Sequence, residues 1–343
     1  MSLEITTLEE RSAECEDFIQ RAAGARLCHT YAWTRMVEEA FGYKGYYLIA
    51  RQDRQIHGVL PLIHVRSKLF GSRLLSQPFS DYGGPVATSP AATEALYHRA
   101  IAIAEEHGCD SVELRNTIPL SHDLYLRQDK MSMYLPLAPN AQDVWETLRH
   151  KTRNRVRKAE RSGLTVKIGG QELIGEFYRV WTVRMRELGT PCYPCKLFHV
   201  IMRTFPDQSR IFLAVLAGVP VAVLFAYTFK GWVQCSWGAA LRGYDSVGPN
   251  YILNWAAIEY YCGQGMQWFD FGRSTKGSGQ HTFKERWGAH PIDLCWQYWT
   301  PPGGRLALAT PTSDRYRNKV ELWKRMPLWA TRLIGPVISP ALA

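Results

Sequence analysis

The sequence predicts an α/β protein with mixed sheets, built from one kind of domain used twice. Three observations carry this. The chain has 343 residues, long for a single core, and 46% of them are hydrophobic, with 12 Trp, 17 Tyr and 13 Phe, enough to fill two cores. Apolar runs with strand spacing alternate with runs of helical spacing, so strands and helices interleave along the chain. The order helix, hairpin, turn, helix, glycine, strand occurs once before Asn116 and again before Gly272. A repeat of that length implies two homologous domains rather than a solenoid, whose units are shorter.

The first copy begins with helical spacing over Leu27 to Phe41. Tyr46–Ala50 and Ile56–Val65, separated by the polar turn Arg51 to Gln55, predict a hairpin. Ser80–Pro85 is a turn-rich loop. Ser89 is a helix N-cap with Pro90 at the first helical position, and Gly108 stands where the helix needs a C-terminal cap. The strand Ser111–Arg115 follows. In the second copy the helical region is Glu172–Leu188 and the hairpin is Ile211–Tyr227. A turn at Gly248 and Pro249 opens a helix that runs to about Tyr261, and the strand is Trp268–Phe271. Setting Gly108 over Gly265 puts Glu113 over Asp270, so each copy places an acid inside an apolar strand. The uncharged run Ile211–Phe229 approaches the length of a membrane-spanning helix. Gly218, Val219 and Pro220 break it in the middle, which favours two strands joined by a tight turn. Domain limits of 1–139 and 140–300 follow, with a tail over 301–343.

Between the copies lies a basic helix. Asn140 caps it, the apolar stripe is Val144, Leu148, Thr152, Val156 and Ala159, and Gly163 ends it. Seven Lys or Arg lie between Arg149 and Arg161, with Glu160 the one acid in the interval. Arg149, Arg153, Arg157 and Arg161 recur every fourth residue and share a ridge. The ridge is either an anion-binding surface or a solvated face. The net charge of +10 and a pI near 9.2 suit polyanionic partners such as tRNA, nucleotide-linked precursors or acidic membrane.

The eight cysteines are scattered, and the N-terminus lacks the basic start and apolar core of a secretory signal, so reduced thiols in the cytoplasm are expected. Cys192 and Cys195 form a lone CxxC without a second pair, and no metal is expected. After Pro301, Pro302, Gly303 and Gly304 the tail carries Trp323, Leu328, Trp329, Leu333 and Ile334 among basic residues. It is expected to pack on the first domain, the alternative being a peripheral membrane-surface helix at the inner face of the cytoplasmic membrane.

The stretch with the most chemistry is Trp268 to Ala289, WFDFGRSTKGSGQHTFKERWGA. An apolar strand containing Asp270 runs into a loop with Gly272, Gly277 and Gly279, then into a basic, aromatic segment around Phe283, Lys284, Arg286 and Trp287. Glycines let backbone approach a ligand, and Arg273, Lys276, Lys284 and Arg286 bring cationic donors suited to phosphate or a developing oxyanion. Asp270 is a candidate for proton transfer, although its counterpart Glu113 suggests a structural position.

The runs FDFGRS and FKERWG, with the KTRNRVRKAERSGL segment at Lys151–Leu164 and SDYGGP at Ser80–Pro85, resemble the FemAB-type proteins, acyltransferases built from two domains of the GCN5-related N-acetyltransferase (GNAT) fold. The resemblance implies two tandem GNAT-like domains. It implies that Lys284 acts on phosphate and at the reaction centre, that Arg153, Arg157 and Lys158 bind anionic substrate, and that Asp81, Tyr82, Gly83 and Gly84 line a groove. Such enzymes commonly take an amino acid from aminoacyl-tRNA and add it to the amine of a peptidoglycan precursor. The DFGRS form and the tail are similar to relatives linked to exopolysaccharide and PEP-CTERM sorting systems, and the long helical arm of some aminoacyl-tRNA users is missing.

Acetyl-CoA enzymes of the GNAT fold hold pyrophosphate on a loop that starts with Gln or Arg and contains closely spaced glycines. The corresponding place reads RGYDSVGPNY, Arg242–Tyr251, and the spacing does not match. The expectation is therefore an acyltransferase without a bound cofactor, making an amide on a cell-envelope or surface-polysaccharide precursor with aminoacyl-tRNA as donor. The alternatives are an acyl-CoA or acyl-carrier-protein N-acyltransferase, and a non-enzymatic nucleic-acid or membrane-surface module. Oligomeric state leaves no mark in the sequence.

Overall fold

The computed structural model describes residues 3–68, 70–306 and 314–342. The chain divides into two compact units. Unit 1 takes in the chain up to Lys130, a return segment starting at Asp293 and the last residues from Pro340; unit 2 takes Met131–Ile292 and the tail through Ser339.

Unit 1 contains β1 (Glu4–Thr7), α1 (Ala13–Arg21), α2 (Tyr31–Phe41), β2 (Lys44–Gln52), β3 (Gln55–Ser67), β4 (Gly71–Leu75), β5 (Val86–Ala87), α3 (Pro90–Glu106), β6 (Ser111–Asn116) and β7 (Tyr125–Arg127). Its sheet runs β1-β2-β3-β4-β6-β15-β7, with β5 on β3, where β15 is the late strand Cys295–Trp299. The caps form as the residue types require: Thr30 accepts from Trp33 N, and Ser89 accepts from Ala92 N with Pro90 next to it. The β2–β3 hairpin turns on Asp53 and Arg54, both at positive φ (51° and 67°), the turn that suits the twist of paired strands. The core gathers Leu48, Leu60, Leu62, Leu74, Leu96, Ile103, Val112 and Leu114 from β2, β3, β4, α3 and β6.

Unit 2 contains β8 (Lys130–Pro136), α4 (Ala141–Thr147), α5 (His150–Arg161), β9 (Leu164–Gly169), α6 (Ile174–Leu188), α7 (Cys195–Thr204), β10 (Ser209–Leu216), β11 (Val219–Phe229), β12 (Trp232–Ala240), α8 (Pro249–Gly263), β13 (Trp268–Thr275), α9 (Gly279–Glu285) and β14 (His290–Asp293), and α10 (Asp314–Arg325) and α11 (Leu328–Ile338) follow β15. Its sheet runs β14-β8-β13-β12-β11-β10-β9. The uncharged run is the β10–β11 hairpin, turning on Ala217 (φ 48°) and Gly218 (φ 81°). No helix among the described residues is long and apolar enough to cross a membrane.

The repeat is explicit in the ladders. In unit 1, β4 pairs in parallel with β6 over three registers ending at Leu75↔Glu113. In unit 2, β12 pairs in parallel with β13 over three registers ending at Gln234↔Asp270. Gly108 (φ 60°) and Gly265 (φ 70°) close the preceding helices in both.

Three expectations need correction. The basic helix is two helices, because Leu148 (ψ 141°) and Arg149 (ψ 139°) are extended. The break swings α5 against α8 while Leu148 stays buried in the same core. The boundaries 1–139 and 140–300 miss that β8 joins unit 2's sheet and that β15 pairs with β6 from Cys295↔Asn116 to Trp299↔Val112. Pairing over such sequence separations leaves no local pattern. The tail was expected on the first domain, but α10 and α11 both lie on α6, with Gly335 set against Cys192. From Pro340 the chain groups with unit 1, where Arg73 donates to Ala341 O.

Candidate functional site

The site is built where β12 and β13 part. Both strands continue past the last paired register, β12 to Ala240 and β13 to Thr275, yet the ladder stops at Gln234↔Asp270. On its other edge β12 carries a bulge: Phe225 pairs Trp237 while Ala226 pairs Cys235, leaving Ser236 as the extra residue. A bulge twists and bends a strand, and here it turns β12 as β13 leaves it. Gln234 Nε2, Ser236 Oγ and Ser274 Oγ, all on these two strands, are buried without a hydrogen-bond partner in the protein. Buried polar atoms are costly when unpaired, and three of them gather on the parted strands, which makes this edge the candidate site.

One residue of β13 is gripped from both sides. Gly272 has φ 75°, a conformation that favours glycine. Its N–H donates to Asp270 Oδ1 at 2.7 Å and its carbonyl accepts from Lys284 Nζ at 2.5 Å. Asp270 Oδ1 also accepts from Ser132 Oγ of β8 at 2.5 Å, and Lys284 Nζ donates further to Arg273 O at 3.0 Å. Asp270 is 1% exposed and Lys284 is 8% exposed, so opposite charges are buried with ordered partners on the two successive peptides that flank one residue. Both fields reach Cys235: burial pushes its thiol well above the ordinary value, the Asp270 carboxylate adds to the rise, and the Lys284 ammonium opposes it.

Lys284 reaches this position because Ser278 caps α9 by accepting from His281 N, and because Trp287 is fully buried one turn on. Trp287 packs against Tyr251, Phe271 and Phe283 with ring centroids 6.0–6.3 Å apart, an arrangement that supplies much of the energy holding so short a helix. The Lys284 ammonium is thus turned onto the β13 backbone.

The remaining predicted cations of unit 2 are nearer the surface. Arg273, Lys276 and Arg286 are exposed, as are Arg157 and Lys158, whereas Arg153 is half-buried. Arg153 Nε is buried and finds no hydrogen-bond partner in the protein. Thr152 Oγ1 donates to Arg286 O at 2.7 Å, which fastens the start of α5 to the end of α9 and brings two distant basic segments together. Arg157 lies over Trp145, 5.4 Å from the ring centroid. Arg149, at the break, is outside the helix that carries Arg153, Arg157 and Arg161.

The SDYGGP loop belongs to unit 1. Tyr82 is 4% exposed and lies under Arg26, whose guanidinium is 5.4 Å from the ring centroid. Gly83 has φ 145°, and a Cβ on Gly84 would sit 1.7 Å from Asn116 Oδ1. The two glycines therefore serve close packing, and of the four residues only Asp81 is partly exposed. Arg115 anchors the loop: it donates to Glu113 at 2.7 Å and to Ser80 O at 2.5 Å, and it stacks over Trp296 at 4.3 Å. Burial alone would lower the Arg115 pKa, but the Glu113 carboxylate outweighs it and holds the value above the ordinary one. Trp296 Nε1 in turn donates to Asp81 O at 3.2 Å. Glu113 is thus a structural acid, while its counterpart Asp270 serves the bend at Gly272.

Ser132, Gln234, Ser236 and Ser274 were not singled out as site residues from the sequence, and Thr152 was read only as part of the buried stripe of the basic helix. The polar pair Gln234 and Ser236 inside the otherwise apolar WVQCSWGAA run was the available signal.

The model of the acetyltransferase (GNAT) domain family matches residues 147–285, which hold α5 through α9 and with them the parted strands and Lys284. No curated protein matches the chain by sequence. Among solved structures it is similar to FemX, with TM-score 0.66 and 14% identity, covering 87% of this chain and 98% of that one. It is similar to a tandem GNAT protein from the clavulanic acid biosynthesis pathway, with TM-score 0.56 and 12% identity over 87% of this chain and 98% of that one. A third is L-PGS from Bacillus licheniformis, with TM-score 0.53 and 16% identity over 95% and 98% of the respective chains. At these identities the likeness is one of fold.

Proposed function

We propose that this chain, which has a tandem GNAT fold, is an acyltransferase that forms an amide on a cell-envelope or surface-polysaccharide precursor, taking an aminoacyl group from aminoacyl-tRNA. In such a reaction a neutral amine attacks an activated ester, and the protein must hold both partners and stabilise a tetrahedral oxyanion. The parted β12–β13 edge receives the reacting ester. Gln234, Ser236 and Ser274 supply polar contacts there, and the desolvated charge of Lys284 acts on the developing oxyanion. Asp270 positions: Ser132 Oγ and Gly272 N both donate to its Oδ1 and order the bend.

The anionic part of the substrate lies on Arg153, Arg157, Lys158, Arg273, Lys276 and Arg286. The observation that carries this reading is the Thr152–Arg286 hydrogen bond, which joins the basic α5 to the segment bearing Lys284. A cationic face of that extent suits a polyphosphate or tRNA backbone. In unit 1 the loop held by Arg115 leaves Asp81 partly exposed, with Tyr82, Gly83 and Gly84 shaping its backbone, as a separate candidate groove for anionic or amine-bearing ligand. An acceptor carried on lipid would bring the enzyme to the inner face of the cytoplasmic membrane. Against an acyl-CoA donor stands the start of α8, which follows a short 3-10 turn over Arg242–Val247 and where Pro249, at the first helical position, removes one of the helix's leading N–H groups.

The test offers the purified protein labelled aminoacyl-tRNA or labelled acetyl-CoA with an extract of lipid-linked and nucleotide-linked envelope precursors. Aminoacyl label entering the precursor pool is expected, with no saturable acetyl-CoA binding in calorimetry. A tight, stoichiometric CoA complex with acetyl transfer would reverse the assignment of donor.

A further inference from the structure

The tail leaves one face of α11 uncovered while fixing its other face to the protein. Trp329, Leu333 and Val337 are 71%, 69% and 77% exposed. They recur every fourth residue and so stand on one side of the helix, with Ile334 beside them at 39%. The opposite side is buried: Ala330, Thr331 and Gly335 pack inward, Gly335 meets Cys192, and Arg332 donates to Thr182 Oγ1 at 3.0 Å. Because that side is held, the apolar stripe cannot fold away by rotating the helix. Four large hydrophobic side chains together on a helix already packed from behind make a patch that isolated surface leucines do not.

The charge around the stripe selects what covers it. Between Arg317 and Arg332 there are five Lys or Arg and one acid, Glu321, which pairs with Lys324 at 2.6 Å. On α10, Leu322 is 65% exposed, and Lys319 and Arg325, one turn to either side of it, are exposed as well. An apolar stripe including a tryptophan, in a tail whose preceding helix exposes cations, matches a bilayer surface with anionic headgroups, where the rings and aliphatic chains enter the acyl boundary and the cations remain among the phosphates. A second copy of this chain would bring the same cations against one another, which costs energy.

We propose that the exposed stripe of α11, with Leu322 and the cations of α10, is a peripheral docking surface for an anionic lipid bilayer. This identifies the face that would serve the membrane-borne acceptor proposed above, but it rests on the stripe's own geometry and is read without turnover.

The experiment is co-sedimentation with vesicles of equal parts phosphatidylglycerol and phosphatidylcholine, and with pure phosphatidylcholine. Parent protein is compared with the Trp329→Ser, Leu333→Ser, Val337→Ser triple variant. All three positions face solvent, so the variant should melt with the parent. The expected result is binding of parent to the anionic vesicles, weakened by salt and by omission of phosphatidylglycerol, and reduced at least about tenfold in the variant. Single changes at the same positions, each giving part of the loss, supply the result if the triple variant folds poorly. Equal sedimentation of parent and variants, or no binding by the parent, overturns the proposal. So does a parent dimer in solution that the variant converts to monomer, since the stripe would then be a contact between copies.

Discussion

Gly272 shows how closely the chemistry-bearing residues are tied to backbone. The carboxylate two residues before it and the ammonium twelve residues after it take hold of its N–H and its carbonyl, and any Cβ there would disfavour φ 75°. A second buried titratable group gives a pH prediction for unit 1. His64 is 6% exposed and bonds through Nε2 to Ser72 Oγ at 2.8 Å. Burial lowers its pKa, and the neighbouring His107 and Arg66 lower it further. The unfolded chain, with an ordinary value of about 6.5, then binds more protons than the native one at mildly acidic pH. Stability is therefore complete above that value and falls as pH drops from it towards the lowered native pKa. The melting temperature of the parent should decline over this window, and His64→Gln should flatten the decline; parallel profiles would show that His64 does not titrate differently on folding. The sequence offered Asp270 and Lys284 as separate candidates. That they meet at one glycine depended on β13 continuing past Phe271 and bending at Gly272, and no residue count reveals that.

At the scale of elements, the basic helix is the clearest case of partial legibility. Its buried stripe and its end at Gly163 were readable because apolar spacing and a glycine cap are local signals. Its break at Leu148–Arg149 was not, since neither proline nor glycine marks it, and the two short helices that result both pack on α8. The break matters to the charge ridge. Arg157 and Lys158 lie on the exposed side of α5, whereas Arg153 is half-buried with Nε desolvated. Reversing Arg157 and Lys158 to Glu should weaken tRNA or nucleotide-precursor binding and reduce the slope of log affinity against log salt by about one to two. Thermal stability should change little, whereas Arg153→Glu should also lower the melting temperature. An unchanged slope in the double variant would make the ridge a solvated face.

Across the whole molecule, the repeat could be aligned from sequence down to the matching positions of Glu113 and Asp270, because helix caps and strand runs are locally encoded. The exchange of late and early strands between sheets could not, since β15 joins unit 1 through pairing that spans most of the chain. The same position has been put to different use in the two units: Glu113 is neutralised by Arg115 beneath a packed loop, while Asp270 holds a bend beside unpaired polar groups. The proposed reaction is accordingly placed on the parted strands of unit 2, with Lys284 as the group whose charge the proposal makes most important. The most direct test is turnover of Lys284→Ala on the labelled aminoacyl reaction, with its melting curve checked against the parent. Removing one electrostatic donor of this kind costs about 100- to 1,000-fold in kcat, and that loss is expected here in a folded protein with little change in KM. A folded Lys284→Ala that keeps more than about a tenth of parental turnover, well short of the loss of a transition-state contact, would reduce Lys284 to a structural clamp and contradict the assignment.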